Sequence, residues 1–168
     1  APNRSKPQRN AYHRFTVDRH LWEATANAAT WADRVARPDL LVLGALFHDI
    51  GKGYPGDRTE VGVTMVERIG PRLGLNADDT QMLCAMVKHH LLLPDVATRR
   101  DLADSATIMM VADEVKTPLV LDLLHGLTEA DSLAAGTAAW GTWKAELVSD
   151  LVRRVHLVLG GAEVEEAQ

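Results

Sequence analysis

An all-α fold is predicted by three observations on this 168-residue chain. Leu, Ala, Met and Glu dominate the periodic segments, strictly alternating β-branched runs are missing, and the apolar stretches are separated by Pro, Gly and polar turns. The first helix is expected over about 16–36, with an apolar stripe at Leu21, Ala24, Ala28, Trp31 and Val35, and an end before Pro38. The second, about 38–49, is apolar nearly all round and reads as the central buried helix. A strand is its rival, but Leu and Ala content and length favour a helix. A loop over 51–58, rich in glycine and broken by Pro55, leads to a helix at about 59–73. After the Gly74-Leu75-Asn76 turn comes a helix at about 77–90, closed by Pro94. A polar link through Arg99-Arg100-Asp101 precedes helices near 105–115, 118–135 and 138–159. The last carries Trp140, Trp143, Leu147, Leu151 and Val158 on one side, which reads as a core stripe. Residues 1–10 are polar and proline-broken and are expected to be a flexible segment, 11–159 one domain, and 160–168 a linker-like tail. That organisation suits one domain of a longer protein.

Composition narrows the function classes. A chain of this length can bury a core without metal or disulfide staples. A lone cysteine, Cys84, lies in an apolar segment with nothing basic beside it, so it reads as a small buried hydrophobe and the default compartment is reducing. The formal net charge of -5 argues against a nucleic-acid surface. With no apolar run near the roughly twenty residues of a membrane span and no signal peptide, a cytoplasmic protein is expected.

Four side chains carry the chemistry: His20, the adjacent pair His48-Asp49, and Asp131. Neutral imidazole and ionised carboxylate are good ligands for divalent cations. Neighbours on a helix diverge by about 100°, so His48 and Asp49 can meet one ion only where the helix loosens, and Gly51 and Gly53 supply that end. An isolated His-Asp pair is more often a capping Asp beside a hydrogen-bonded buried His, so the wider context decides. Lys52, in the glycine turn, is a candidate for steadying phosphate charge, with a solvated lysine equally favoured. Arg99 and Arg100 could grip a phosphate bidentately, although ion pairs with Asp101 or Asp104 rank slightly ahead. His13, His125 and His156 are weaker candidates, and His125, six residues before Asp131, faces elsewhere.

The context is a series of ordered blocks. Tyr12-His13-Arg14-Phe15-Thr16-Val17-Asp18-Arg19-His20, the stretch from His48 to Gly53, His89-His90-Leu91-Leu92-Leu93, Thr98-Arg99-Arg100-Asp101, Leu127-Thr128-Glu129-Ala130-Asp131-Ser132 and Trp140-Gly141-Thr142-Trp143-Lys144 follow one another. Together they resemble the HD-domain superfamily of metal-dependent phosphohydrolases, an all-helical bundle, and within it the HD domains of PII uridylyltransferase/uridylyl-removing enzymes. The resemblance runs from about 11 to 154. It implies that His20, His48, Asp49 and Asp131 bind a divalent metal ion (Mn, Mg, Fe or Zn), that His89 or His90 adds a ligand where a second ion is held, and that Asp49 and Lys52 serve hydrolysis. It also implies a nucleotidylated PII signal protein as partner, UMP or AMP as the group removed from its tyrosine, and transferase and ACT domains elsewhere in the parent chain. One departure stands out. Where such domains usually read Asp-His-Ser-Glu-Leu-Gly, this chain has Asp57-Arg58-Thr59-Glu60-Val61-Gly62. A guanidinium has no lone pair for a cation, which counts against a second ion. A phosphohydrolase of free nucleotides and a regulatory module with a weakened metal site are the rival readings.

Overall fold

Eight helices and no strand make up residues 11–136 and 140–167, the part of the chain that this computed structural model describes. They are α1 (Ala11–Ala29), α2 (Pro38–Phe47), α3 (Arg58–Arg72), α4 (Ala77–Lys88), α5 (Leu92–Arg99), α6 (Ser105–Val115), α7 (Pro118–Ala134) and α8 (Thr142–Ala167). Short polar side chains open four of them. Asp57 accepts from the backbone N–H groups of Thr59 and Glu60 at 2.9 and 3.0 Å, Asn76 from Asp79 at 2.8 Å, Asp104 from Ala106 at 2.9 Å, and Thr117 from Val120 at 3.3 Å. Each satisfies an amide that the helix itself leaves unpaired. Pro38 and Pro118 occupy first-turn positions, where the missing N–H is no loss.

The helices close around one core that draws on all eight. α2 and α7 are its axis. Leu40, Leu41, Leu121, Leu123, Leu124 and Leu127 are sealed from solvent, and Leu83, Met86, Leu93 and Leu151 reach them from α4, α5 and α8. Each such side chain contributes about 1.5–3 kcal/mol by leaving water. α1 lies across α2 and α7, with Ala24 and Ala28, and Trp31 in the turn after it, facing inward. Its close seat depends on Gly126, where a Cβ would come within 2.9 Å of Leu41 and 3.1 Å of the Trp31 ring. α3 packs on α4, and α8 covers α5, α6 and α7.

Several expected boundaries move, each for a local reason. α1 stops at Ala29, and the chain continues in tight turns through Trp31 and Arg34 instead of a helix to residue 36. Thr30 Oγ1 takes the Asn27 carbonyl at 2.6 Å, competing with the helical ladder there. The stretch read as a link after Pro94 contains α5. Pro94 stands in its first turn, the one place where proline is tolerated in a helix. The core face of α8 is Val148, Leu151, Val152, Val155 and Leu159, whereas Trp143, expected in the core, is 68% exposed. The spacing of Trp143 to Leu151 is helical, but the face is rotated by about one residue from the one assumed. α8 also continues to Ala167, through the segment expected to be a tail. Ala, Glu and Val residues propagate a helix that packing has already nucleated, despite Gly160 and Gly161. The expectation for 1–10 and the His13 side chain lie outside the described residues. No described helix is long and apolar enough to cross a membrane.

Candidate metal centre

Three helices deliver ligand atoms to one point. His20 projects from α1, His48 caps the C-terminus of α2, and Asp131 comes from the last turns of α7. One ligand atom of each lies within 4.8 Å of the other two. His20 Nε2 is 2.8 Å from Asp131 Oδ1, and His48 Nε2 is 3.2 Å from the same oxygen. The helix ends after Phe47, as the His48-Asp49 adjacency required. Asp49 therefore swings to the other side of His48, with Oδ2 3.3 Å from His48 Nε2 and Oδ1 3.7 Å from His90 Nε2. The rings of His20 and His90 flank that of His48 edge-on, with centroids 6.1 and 5.4 Å away.

Second contacts decide which nitrogen is presented. His48 Nδ1 donates to the Ala45 carbonyl at 2.8 Å, and His90 Nδ1 donates to the Val87 carbonyl at 2.7 Å. Both therefore aim Nε2 at carboxylates. Fixing one ring nitrogen on a backbone carbonyl so that the other is free to ligate is the usual arrangement around a bound metal. His48 Nε2 is buried and has no well-aligned hydrogen-bond partner, although two carboxylate oxygens face it. An orphaned buried nitrogen between two carboxylates is the chemistry a divalent cation fits.

Without the cation, a proton takes its place. Burial would push the His48 ring down, but Asp131 and Asp49 outweigh it and push its pKa up to about 10. Burial likewise opposes ionisation of Asp49 and Asp131. His48 and His90 nevertheless bring Asp49 down to about 2, and His20 and His48 hold Asp131 well below the carboxylate range. His20 is raised by its hydrogen bond to Asp131, against burial. A histidine raised from 6.5 to about 10 contributes stability that is full below pH 6.5 and is lost as pH rises through about 10. In a chelator, the melting temperature is thus expected to fall across that window, and metal affinity to rise as the competing proton leaves. A melting temperature that climbs from pH 6.5 to 10 without metal would contradict this account.

The structure separates the other candidates. Of the two adjacent histidines, His90 faces the centre; His89 turns away, with Nε2 3.6 Å from Glu114 Oε2. Lys52 is exposed in the turn after Asp49, its backbone N–H on the Asp49 carbonyl at 3.0 Å. Arg99 and Arg100 are exposed at the end of α5, about 10 Å along its axis from the His90 end. The expected ion pairs to Asp101 and Asp104 do not form, because both carboxylates accept from backbone amides at 2.9 Å instead. Arg58 opens α3 and is exposed. His125 stacks edge-on against Trp31 at 5.1 Å, and His156 meets Asp122 at 2.7 Å, so both are engaged elsewhere.

Residues that sequence reasoning passed over clamp α1 to α7 beside the centre. Asn27 Nδ2 donates to the Ala130 carbonyl at 3.1 Å, next to Asp131. The Trp31 indole donates to the Glu129 carboxylate, and Arg34 lies 3.5 Å from that carboxylate and 3.6 Å over the Trp31 ring. The available signal was spacing, since Asn27 stands seven residues after His20 on one helical face.

Candidate ligands drawn from separate helices and left partly open to solvent suit an open metal centre in a helical domain, as opposed to a closed structural site. The chain belongs to the HD domain family, whose model matches residues 17–117. HD domains bind divalent metal ions, and His20, His48 and Asp131 form a set that could hold one. The match takes in His20, His48, Asp49 and His90, while Asp131 joins them through the fold. The chain is 53% identical over 165 residues to the bifunctional uridylyltransferase/uridylyl-removing enzyme of Streptomyces coelicolor, covering 98% of this chain and 20% of that protein. With the protein of the same name from Mycobacterium tuberculosis it shares 49% identity over 168 residues, 99% of this chain and 21% of the relative. The relative from Corynebacterium glutamicum is 42% identical over 133 residues, 79% of this chain and 19% of that protein. The chain thus spans about a fifth of the length of these relatives.

Proposed function

We propose that this domain is the nucleotidyl-removing half of a bifunctional uridylyltransferase/uridylyl-removing enzyme, a metal-dependent hydrolase that cleaves the phosphodiester between UMP or AMP and a tyrosine of a PII-type signal protein. The observation that carries the proposal is the buried, unpartnered His48 Nε2 set between Asp49 and Asp131. The long, closely similar relatives bearing that name support it. His20, His48 and Asp131 would hold the ion, with Asp49 beside them. When bound, a divalent cation supplies Lewis acidity toward a phosphoryl oxygen and acidifies water near neutral pH. The chain's own contribution is to orient. Asp49, a carboxylate facing His48 and His90, can accept a hydrogen bond from water at the open face, and the backbone carbonyls of Ala45 and Val87 hold the rings in place. Phenolate is a good leaving group, so the need for a strong general acid is modest. Lys52, exposed next to Asp49, and Arg99 and Arg100 are the proposed contacts for phosphate. One ion is the favoured stoichiometry, since Arg58 stands where a second ion would need imidazole.

The test is release of nucleotide from tyrosine-modified PII by the purified domain with manganese, set beside its action on free nucleotides. Release from modified PII supports the proposal. Turnover of free nucleotides alone favours a nucleotide phosphohydrolase, and neither activity favours a regulatory module.

A further inference from the structure

His89, which the sequence offers as a metal ligand and the fold turns away from the centre, lines a second cavity. This cavity, of about 630 Å³, opens between α3, α4 and the corner joining α6 to α7. Its size is that of a small-molecule site, and Met82, Ala85, Val115 and Val120 form an apolar wall.

The corner is strained. Lys116 ends α6 with φ 69 and ψ -40, a conformation L side chains rarely adopt, and the Thr117 amide donates to the Val115 carbonyl at 2.8 Å to close a three-residue turn of the rare sense. Glycine would take this conformation without strain, yet a lysine stands there and brings an ammonium to the cavity wall. Strain of this kind concentrates where a ligand is clamped.

The charged groups of the wall divide by position. Asp78 lies ten residues before Lys88 on α4, about 15 Å along the axis. Glu67 sits near Cys84, in the middle. The charges that act on His89 are those of Glu114, Lys88 and Lys116. Glu114 is engaged by His89, and neither lysine has an ion-pair partner among the described residues. One end of an apolar trough thus carries two ammonium groups against the single carboxylate of Glu114.

We infer that this cavity binds a small amphipathic anion, its carboxylate, phosphate or sulfonate group held by Lys88 and Lys116 and its apolar body laid over Met82, Ala85 and Val120. The 168-residue chain, whose single core includes residues of every helix, suffices for the test. It is titrated with 8-anilinonaphthalene-1-sulfonate, with decanoate and inorganic phosphate as competitors and circular dichroism as the check on folding. Saturable one-site binding is expected, displaced by decanoate and not by phosphate, and Lys88→Glu and Lys116→Glu should each weaken it about tenfold. Lys116→Gly separates binding from folding, because it should raise the melting temperature by relieving the corner while still weakening the probe. Absence of saturable binding, or affinity unchanged by all three substitutions, overturns the inference. So does failure of the full-length parent protein to bind the probe, which would mean that a neighbouring domain fills the trough.

Discussion

Asp131→Asn is expected to abolish metal-dependent hydrolysis and to weaken manganese binding by more than the roughly 10–100-fold that loss of an outer-shell partner brings. The substitution preserves shape, so the effect isolates charge. Asp131 is the one oxygen donor in the compact set, and it faces both His20 at 2.8 Å and His48 at 3.2 Å. Exchanging the carboxylate for an amide removes an anionic ligand and leaves two imidazoles without the acid that polarises them. In the metal-free domain the same change takes away the main cause of the raised His20 pKa. Two measurements check it: a manganese titration, and the pH at which the His20 ring resonances shift, which should move down. Retention of wild-type metal affinity in the folded variant would remove Asp131 from the centre.

Gly51→Ala should be the most damaging change outside the ligands. A Cβ at this position would lie 2.0 Å from the Arg58 carbonyl oxygen and 2.6 Å from the Gly62 amide nitrogen. Both are backbone atoms of α3, so no side chain can rotate aside. The loop that carries His48 and Asp49 away from α2 would have to lift off α3, taking those two candidate ligands with it. A loss of at least about 3 kcal/mol, or a fall in melting temperature of roughly 6–12 °C, is expected. Gly141→Ala is the control, since a methyl group there would meet nothing within 4 Å and its effect should be within about 0.5 kcal/mol. Equal melting temperatures for the two variants would show that the loop is not seated as described.

Much of this was legible in the chain because the signals were local. The Gly74-Leu75-Asn76 turn, the polar link through Arg99-Arg100-Asp101 and Pro118 marked the starts of α4, α6 and α7, and the apolar run before His48 marked the central helix. Periodicity read α8 less well. Its pattern of large side chains includes Trp143, and only packing against α5, α6 and α7 decides which side of a helix with apolar residues on several faces turns inward. α5 was hidden because Pro94 reads as a stop unless the helix is known to begin two residues earlier.

The same holds at the centre. Residue types named the candidate ligands, but the choice between His89 and His90 depends on α4 ending at Lys88, a matter of one residue. The clamp of Asn27, Trp31 and Glu129 joins positions about a hundred residues apart and leaves no local trace.

That separation has a consequence for how the domain is made. His20 and Asp131 stand 111 positions apart, so a ribosome adding roughly 5–20 residues per second needs on the order of ten seconds between exposing one and the other. Throughout that interval the emerging polypeptide lacks Asp131, so the three-residue set that could hold an ion is complete only once α7 has been delivered.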